Sequence, residues 1–171
     1  MSPSVLRAVI GQPMSDGTTI PAMASVVITF IGDDRAGLVD TVAGVVASHG
    51  GNWDRSHLAE LAGKFAGIVL VQLPDASVDA LLGELGAIAS QGLLAITAER
   101  ATTTETAGTT SQVSLELIGQ DHPGTVHEIS HVLVAQNISI DELETRVAPA
   151  PQGGNLFIAH AVLELPDGSD L

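Results

Sequence analysis

Residues Ile31-Gly32-Asp33-Asp34-Arg35-Ala36-Gly37 return as Ile118-Gly119-Gln120-Asp121-His122-Pro123-Gly124, each 87 positions further on (124 − 37 = 87). A chain that repeats a glycine-ended acidic loop at this distance has built one structural unit twice. The period is too long for a solenoid repeat and suits two small domains. At 171 residues the length allows this.

The flanks repeat as well. Apolar runs precede both loops, Ser25–Phe30 in one copy and Val113–Leu117 in the other. A helical pattern follows each, then an Asn: Asn52 comes 15 residues after Gly37, and Asn137 comes 13 after Gly124. Both copies then reach a Leu-Pro-Asp turn, Leu73-Pro74-Asp75 and Leu165-Pro166-Asp167. Asn52 to Pro74 is 22 residues and Asn137 to Pro166 is 29, so the second copy holds seven more. An enlarged turn at Ala148–Gly154 accounts for them.

Periodicity assigns the elements. Val26–Ile31, β-branched throughout much of its length, reads as a strand buried on both faces or nearly so. Val39, Val42, Val45 and Val46 mark one face of a helix over Gly37–His49, stopped by Gly50-Gly51. Trp53–Leu61 and Phe65–Leu73 read as a hairpin turned at Ala62-Gly63-Lys64. Asp75 or Ser77 caps a second helix striped by Val78, Leu81, Leu82, Leu85 and Ile88, and Leu93–Glu99 is a last strand. The order is β-α-β-β-α-β.

A Thr-rich linker over residues 101–111 leads to strand Gln112–Ile118, helix Thr125–Gln136 and strands Ser139–Val147 and Asn155–Leu165. The first copy has 24 residues from Ala76 to Glu99 after its Leu-Pro-Asp, the second only Gly168–Leu171. The last helix and strand expected of the second copy therefore lie outside these 171 residues, either because the chain is cut short or because it ends there. In a split β-α-β fold the fourth strand pairs beside the first, so Gln112–Ile118 has an open edge. A neighbouring domain or second chain is expected to cover it, with Ser4–Ile10 of the leader a weaker donor. Residues 1–23, rich in Gly and Pro, read as a flexible leader; residues 24–100 and 112–171 are the two domains.

Charge and composition exclude several functions. Net charge is −14 with only six Lys and Arg, too few for the basic stripe that gives nucleic-acid affinity. Anionic membrane surfaces are excluded on the same ground. Aromatics total 2%, namely Phe30, Trp53, Phe65 and Phe157, so base-stacking platforms are lacking too. No apolar run approaches the ~20 residues of a membrane span. The absence of cysteine rules out disulfides and thiol chemistry and suits a reducing cytoplasm.

His127-Glu128-Ile129-Ser130-His131 spells the H-E-x-x-H of zinc proteases. Val126, Ile129 and Leu133 define the expected buried stripe, and at about 100° per residue His127 and His131 fall roughly opposite it. The matching positions of the first copy are Asp40, Thr41 and Gly44. A third ligand is needed, and Glu144 and His160 are the nearest offers without reason to converge. A zinc metallohydrolase is thus an alternative, with adventitious surface metal binding a better reading of the pair.

The pattern of strand, G-x-D-x-x-G loop, valine-rich helix, His-Gly or Gln-Asn turn and Asn before the next strand resembles the ACT domain family. Gly119–Gly124 follows the family loop closely, while the first copy has Ala36 where Pro is usual. Tandem copies without an attached enzyme look like the glycine cleavage system transcriptional repressor type. The resemblance covers about residues 24–171. It implies an α+β fold of two ferredoxin-like βαββαβ domains with antiparallel sheets. It further implies an amino-acid-responsive, non-enzymatic, cytoplasmic regulator without a cofactor, homo-oligomeric, and acting through a protein partner such as a DNA-binding transcription factor. A structural module detached from an enzyme is the other alternative.

The loop has a matching logic. Gly37 and Gly124 let backbone N–H groups at a helix start approach a carboxylate, with Leu38 and Thr125 as the first helical residues. Asp33, Asp34 and Asp121 can receive an ammonium, and Asn52 and Asn137 offer donor and acceptor together. Arg35 and His122 share one slot and are candidates for a carboxylate. Glycine is the first effector to expect and serine the next, because nothing suggests an aromatic pocket. The same Gly and Asp residues also suffice for a tight strand-to-helix turn.

Overall fold

The computed structural model describes residues 21–102 and 111–166. Among the described residues the chain forms two units, one holding four strands and the other three.

In the first unit, β1 (Met23–Asp33) leads to α1 (Leu38–Ser48), the hairpin β2 (Asn52–Leu61) and β3 (Lys64–Pro74), a 3-10 turn at Asp75–Ser77, α2 (Val78–Ser90) and β4 (Ala95–Arg100). The antiparallel sheet has order β2-β3-β1-β4. This is the expected βαββαβ arrangement.

Burial follows the pleat. Val26, Ile28 and Phe30 of β1 and Val69, Val71 and Leu73 of β3 are buried against the two helices. Between them Thr29 and Ile31 are exposed and Val27 only half-buried, so β1 is not buried on both faces. The packed helices give this sheet one core face, and its β-branched residues serve the pleat on the other. Phe30 stands opposite Gly67, where an added Cβ would come within 2.9 Å of the ring.

The buried face of α1 is Leu38, Val42, Val45 and Val46, while Val39 is exposed. That i, i+4, i+7, i+8 spacing replaces the stripe expected from Val39. α2 buries Val78, Leu81 and Leu85, with Leu82 and Ile88 packed partly against the same core. No side chain caps α2. Asp75 instead pairs with Arg100, and its N–H donates to the carbonyl of Ala22 at 2.8 Å. Ala22 and Met23 thus belong to the first unit; the rest of the expected leader, residues 1–20, lies outside the described residues.

The second unit comprises β5 (Ser111–Gln120), α3 (Thr125–Ala135), β6 (Ser139–Pro149) and β7 (Asn155–Leu165), with sheet order β5-β7-β6. β5 is an edge strand among the described residues. Its equivalent, β1, lies between β3 and β4. The duplicated unit keeps its irregularities: β2 shifts register between Trp53 and Arg55, and β6 between Ile140 and Glu142. The residues stepped over, Asp54 and Asp141, are again 87 apart (141 − 54 = 87).

The hairpin turns differ. Ala62-Gly63 forms a two-residue turn with both φ positive (52° and 76°), whereas Ala150–Gly154 joins β6 to β7. Ala148 and Pro149, expected in that turn, end β6.

The helical cover differs as well. α3 buries none of its residues. Val132 is 63% exposed, while Val45 at the equivalent place is 7% exposed. Val126, expected inside, is exposed like its equivalent Val39. Among the described residues no helix is long and apolar enough to cross a membrane.

Candidate functional site

The two strand-to-helix loops have the same build. The backbone N–H of Asp34 donates to the carbonyl of Gly63 at 2.9 Å, and that of Asp121 to the carbonyl of Asn155 at 3.0 Å. Each loop is thereby tied to the hairpin turn at its own end of the sheet. Gly37 and Gly124 then take φ of +95° and +98° and precede α1 and α3 with no side-chain cap. Only glycine enters this left-handed turn without strain. An added Cβ at either glycine would meet nothing within 4 Å, so conformation and not crowding demands glycine, and the ground beside each loop is open.

An uncapped helix start with open space before it can receive an anion on the first-turn N–H groups that are left unbonded; in α3 the N–H of Thr125 is not one of these, since it donates to the carbonyl of His122 at 3.3 Å. Leu38 offers only its backbone there, since its side chain is 4% exposed and part of the core. Thr125 is less buried, but its hydroxyl already donates to the carbonyl of His122 at 2.8 Å.

The charged groups divide. Asp33 stands opposite Lys64 across the β1–β3 ladder and accepts a hydrogen bond from its ammonium. That hydrogen bond, then the charge of Lys64, holds the Asp33 carboxyl below the usual 3.8, with Arg35 adding a smaller pull. Asp33 is therefore engaged within the fold, whereas Asp34 and Asp121 are exposed at the loop tips. Arg35 is exposed. His122 directs Nε2 towards Glu128 at 3.8 Å and has Nδ1 3.2 Å from the Pro123 carbonyl.

Asn52 and Asn137 do not join the loops. Asp33 is in register with Lys64 and Asn52 with Gln72, eight residues further along β3 (72 − 64 = 8). At ~3.3 Å per residue this is roughly 26 Å, beyond the span of one small amino acid. Asn137 has φ of 55° and ends α3: its N–H donates to Val134 and that of Ile138 to Leu133, both at 3.0 Å. Its equivalent is Gly50 (φ 71°), not Asn52, whose own equivalent is Ser139 at the start of β6. The two-residue discrepancy between the copies comes from matching these two asparagines.

Two clefts of about 300 Å³ lie in the second unit. One is lined by Gln120, Ala150, Pro151, Gln152, Gly153, Asn155 and Leu156, beside the Asp121 tether. Of its carboxamides, Gln152 lies in Ala150–Gly154, which has no counterpart in the first copy, while Gln120 ends β5 and Asn155 opens β7, and only the folded hairpin brings the three together. The other is apolar, formed by Leu115 and Leu117 of β5 with Ile129, Val132 and Leu133 of α3 and the edge of Glu128.

The H-E-x-x-H residues share α3 but do not assemble a three-ligand centre. His127 and His131 are exposed with ring centroids 6.2 Å apart, and Glu128 is the residue facing His122. His160 lies opposite Glu144 in the ladder and 3.9 Å from Glu116. No group of three or more His, Asp or Glu among the described residues is placed to hold a metal ion.

Residues 24–98 match the family described as ACT domain. A protein from Galdieria sulphuraria, described only as unknown, is 29% identical and superposes with a TM-score of 0.70 over 85% of this chain and 84% of its own. A protein described as a candidate glycine cleavage system transcriptional repressor superposes with a TM-score of 0.62 at 17% identity, over 86% of this chain and 84% of its own. The latter likeness is one of fold. No curated protein matches the sequence.

Proposed function

We propose that this chain, whose residues 24–98 match the ACT domain family, is a non-catalytic regulatory protein that responds to a small amino acid. The observation that carries the reading is the loop built twice: the same Asp backbone tether, left-handed glycine and uncapped helix occur at Asp34/Gly37 and Asp121/Gly124. A zwitterion needs a donor-rich place for its carboxylate and an acidic group for its ammonium. The first turns of α1 and α3 supply the one, and the exposed Asp34 and Asp121 carboxylates supply the other.

Arg35 and His122 are the side chains available to a larger effector at the same slot. Asp33 contributes through Lys64, by fixing the end of β1. Asn52 and Asn137 have no part in the contact within a unit. Glycine is the first effector and serine the second, since neither asks for a deep apolar pocket.

Effector binding favours one arrangement of ACT units in a homo-oligomer, and a protein partner reads that arrangement through its differential affinity. The described similarity to a glycine cleavage system repressor supports a transcriptional role. A net charge of −14 then directs the regulator to a DNA-binding protein in the cytoplasm and not to DNA itself.

Titration calorimetry with a panel of amino acids tests this reading. Heat is expected with glycine or serine, and its loss in the Asp34→Ala/Asp121→Ala double variant. Absence of heat with every amino acid of the panel sinks it.

A further inference from the structure

We propose that α3 carries a two-histidine chelating site for a divalent transition-metal ion, formed by His127 and His131 on its exposed face. The two residues are one helical turn apart (131 − 127 = 4) and both are exposed. Their ring centroids are 6.2 Å apart with the planes inclined by 33°. A metal–imidazole bond is about 2.0–2.1 Å, which puts each ring centre roughly 3 Å from the ion. Two rings on one ion at about 90–110° therefore stand roughly 4–5 Å apart, and rotation of the two exposed side chains about χ1 and χ2 closes the observed 6.2 Å to that spacing.

Imidazole pairs take Cu²⁺, Ni²⁺ and Zn²⁺ in preference to Mg²⁺ or Ca²⁺. With no third protein donor placed among the described residues, water completes the coordination shell. Glu128, whose carboxylate lies 3.8 Å from His122, has a different neighbour.

The location gives the site a physical consequence. α1 is anchored by four buried residues, whereas α3 buries none. A helix so lightly packed depends on its own hydrogen bonds, and short isolated helices are marginal in water. An ion bridging one turn binds the helical form more tightly than the unfolded one, and so stabilises the second unit by linkage. The first unit has Asp40 and Gly44 at the equivalent positions and gains nothing.

The test uses tag-free protein titrated with CuCl₂, NiCl₂ and ZnCl₂, with hydrogen exchange followed along the chain. One ion per chain is expected at the tightest site, with amide protection rising over residues 125–135 and unchanged over 38–48. His131→Gln is expected to weaken that site on the order of tenfold or more, the gain that a second tethered ligand confers.

A His131→Gln/Val132→His variant keeps six histidines but turns the second imidazole away from the first, at a position already 63% exposed. Affinity as low as that of His131→Gln supports the chelate. Binding equal to the wild type, or no uptake of any of the three ions by the wild type, overturns it. Should the double variant lose its helical circular dichroism, His127→Gln replaces it, with the same expected loss and unchanged affinity as the overturning result.

Discussion

Asn137 stands at φ 55° in the place where Gly50 stands at φ 71°, and each ends the first helix of its unit. A left-handed residue there lets the following N–H groups reach back to the last carbonyls of the helix. Asn is the best non-glycine residue for the conformation. Asn137→Gly is therefore expected to be neutral or stabilising by a few tenths of a kcal/mol, whereas Asn137→Ala and Gly50→Ala should each cost about 1 kcal/mol. Urea denaturation of the three variants checks the order. Equal costs for Ala and Gly at 137 would show that the side chain, not the dihedral, matters there.

Ala62 is the less suited residue. It takes φ 52° beside Gly63 at 76° in a two-residue hairpin turn, a pair of positive dihedrals that favours Asn-Gly. Ala62→Asn is expected to raise the stability of the first unit by about 0.5–1 kcal/mol, the strain of a left-handed alanine being removed. A thermal midpoint at or below that of the wild type would contradict the turn assignment.

Asp33 gives a pH dependence of known sign. Its carboxyl is held below the ordinary 3.8 by the hydrogen bond and charge of Lys64. Its stabilising contribution is thus fully present above the unfolded value and is lost as pH falls through the lower folded value. The pair is exposed, so the effect should be small and weaken with salt. Carboxyl NMR titration should show the Asp33 midpoint below 3.8 in the wild type and higher in Lys64→Met. An unchanged midpoint in that variant would remove Lys64 as the cause.

Val45 and Val132 are equivalent in sequence and opposite in burial, at 7% and 63% exposure. Val45→Ala should cost about 2 kcal/mol by lost apolar burial and the cavity left behind. Val132→Ala should change the stability of a dilute monomer by less than about 0.5 kcal/mol. Where a partner covers the cleft between β5 and α3, Val132→Asp should instead lower association, read by light scattering. A large loss of monomer stability in Val132→Ala would mean that α3 packs more tightly than its exposure indicates.

Much of this molecule was legible in one dimension. The 87-residue offset fixed the duplicated loop, the order of elements and the hairpins, because periodicity, glycine dihedrals and turn chemistry are local properties. Local signals do not say what lies across a sheet. They placed Val39 inside α1 and buried β1 on two faces, where the packed structure exposes Val39 and gives the strand one inward face. They also paired Asn52 with Asn137, although the first opens a strand and the second ends a helix.

The candidate site divides along the same line. The glycines and acidic tips of the loops were readable, since a left-handed turn demands glycine whatever surrounds it. Tertiary structure alone decided that Lys64 engages Asp33, that Leu38 belongs to the core, and that Asn52 sits at the far end of the sheet. It also decided that α3 keeps its apolar side open while α1 does not. The reason is physical: a side chain's conformation is set by its neighbours in sequence, but its burial and charge partners are set by residues that only folding brings near.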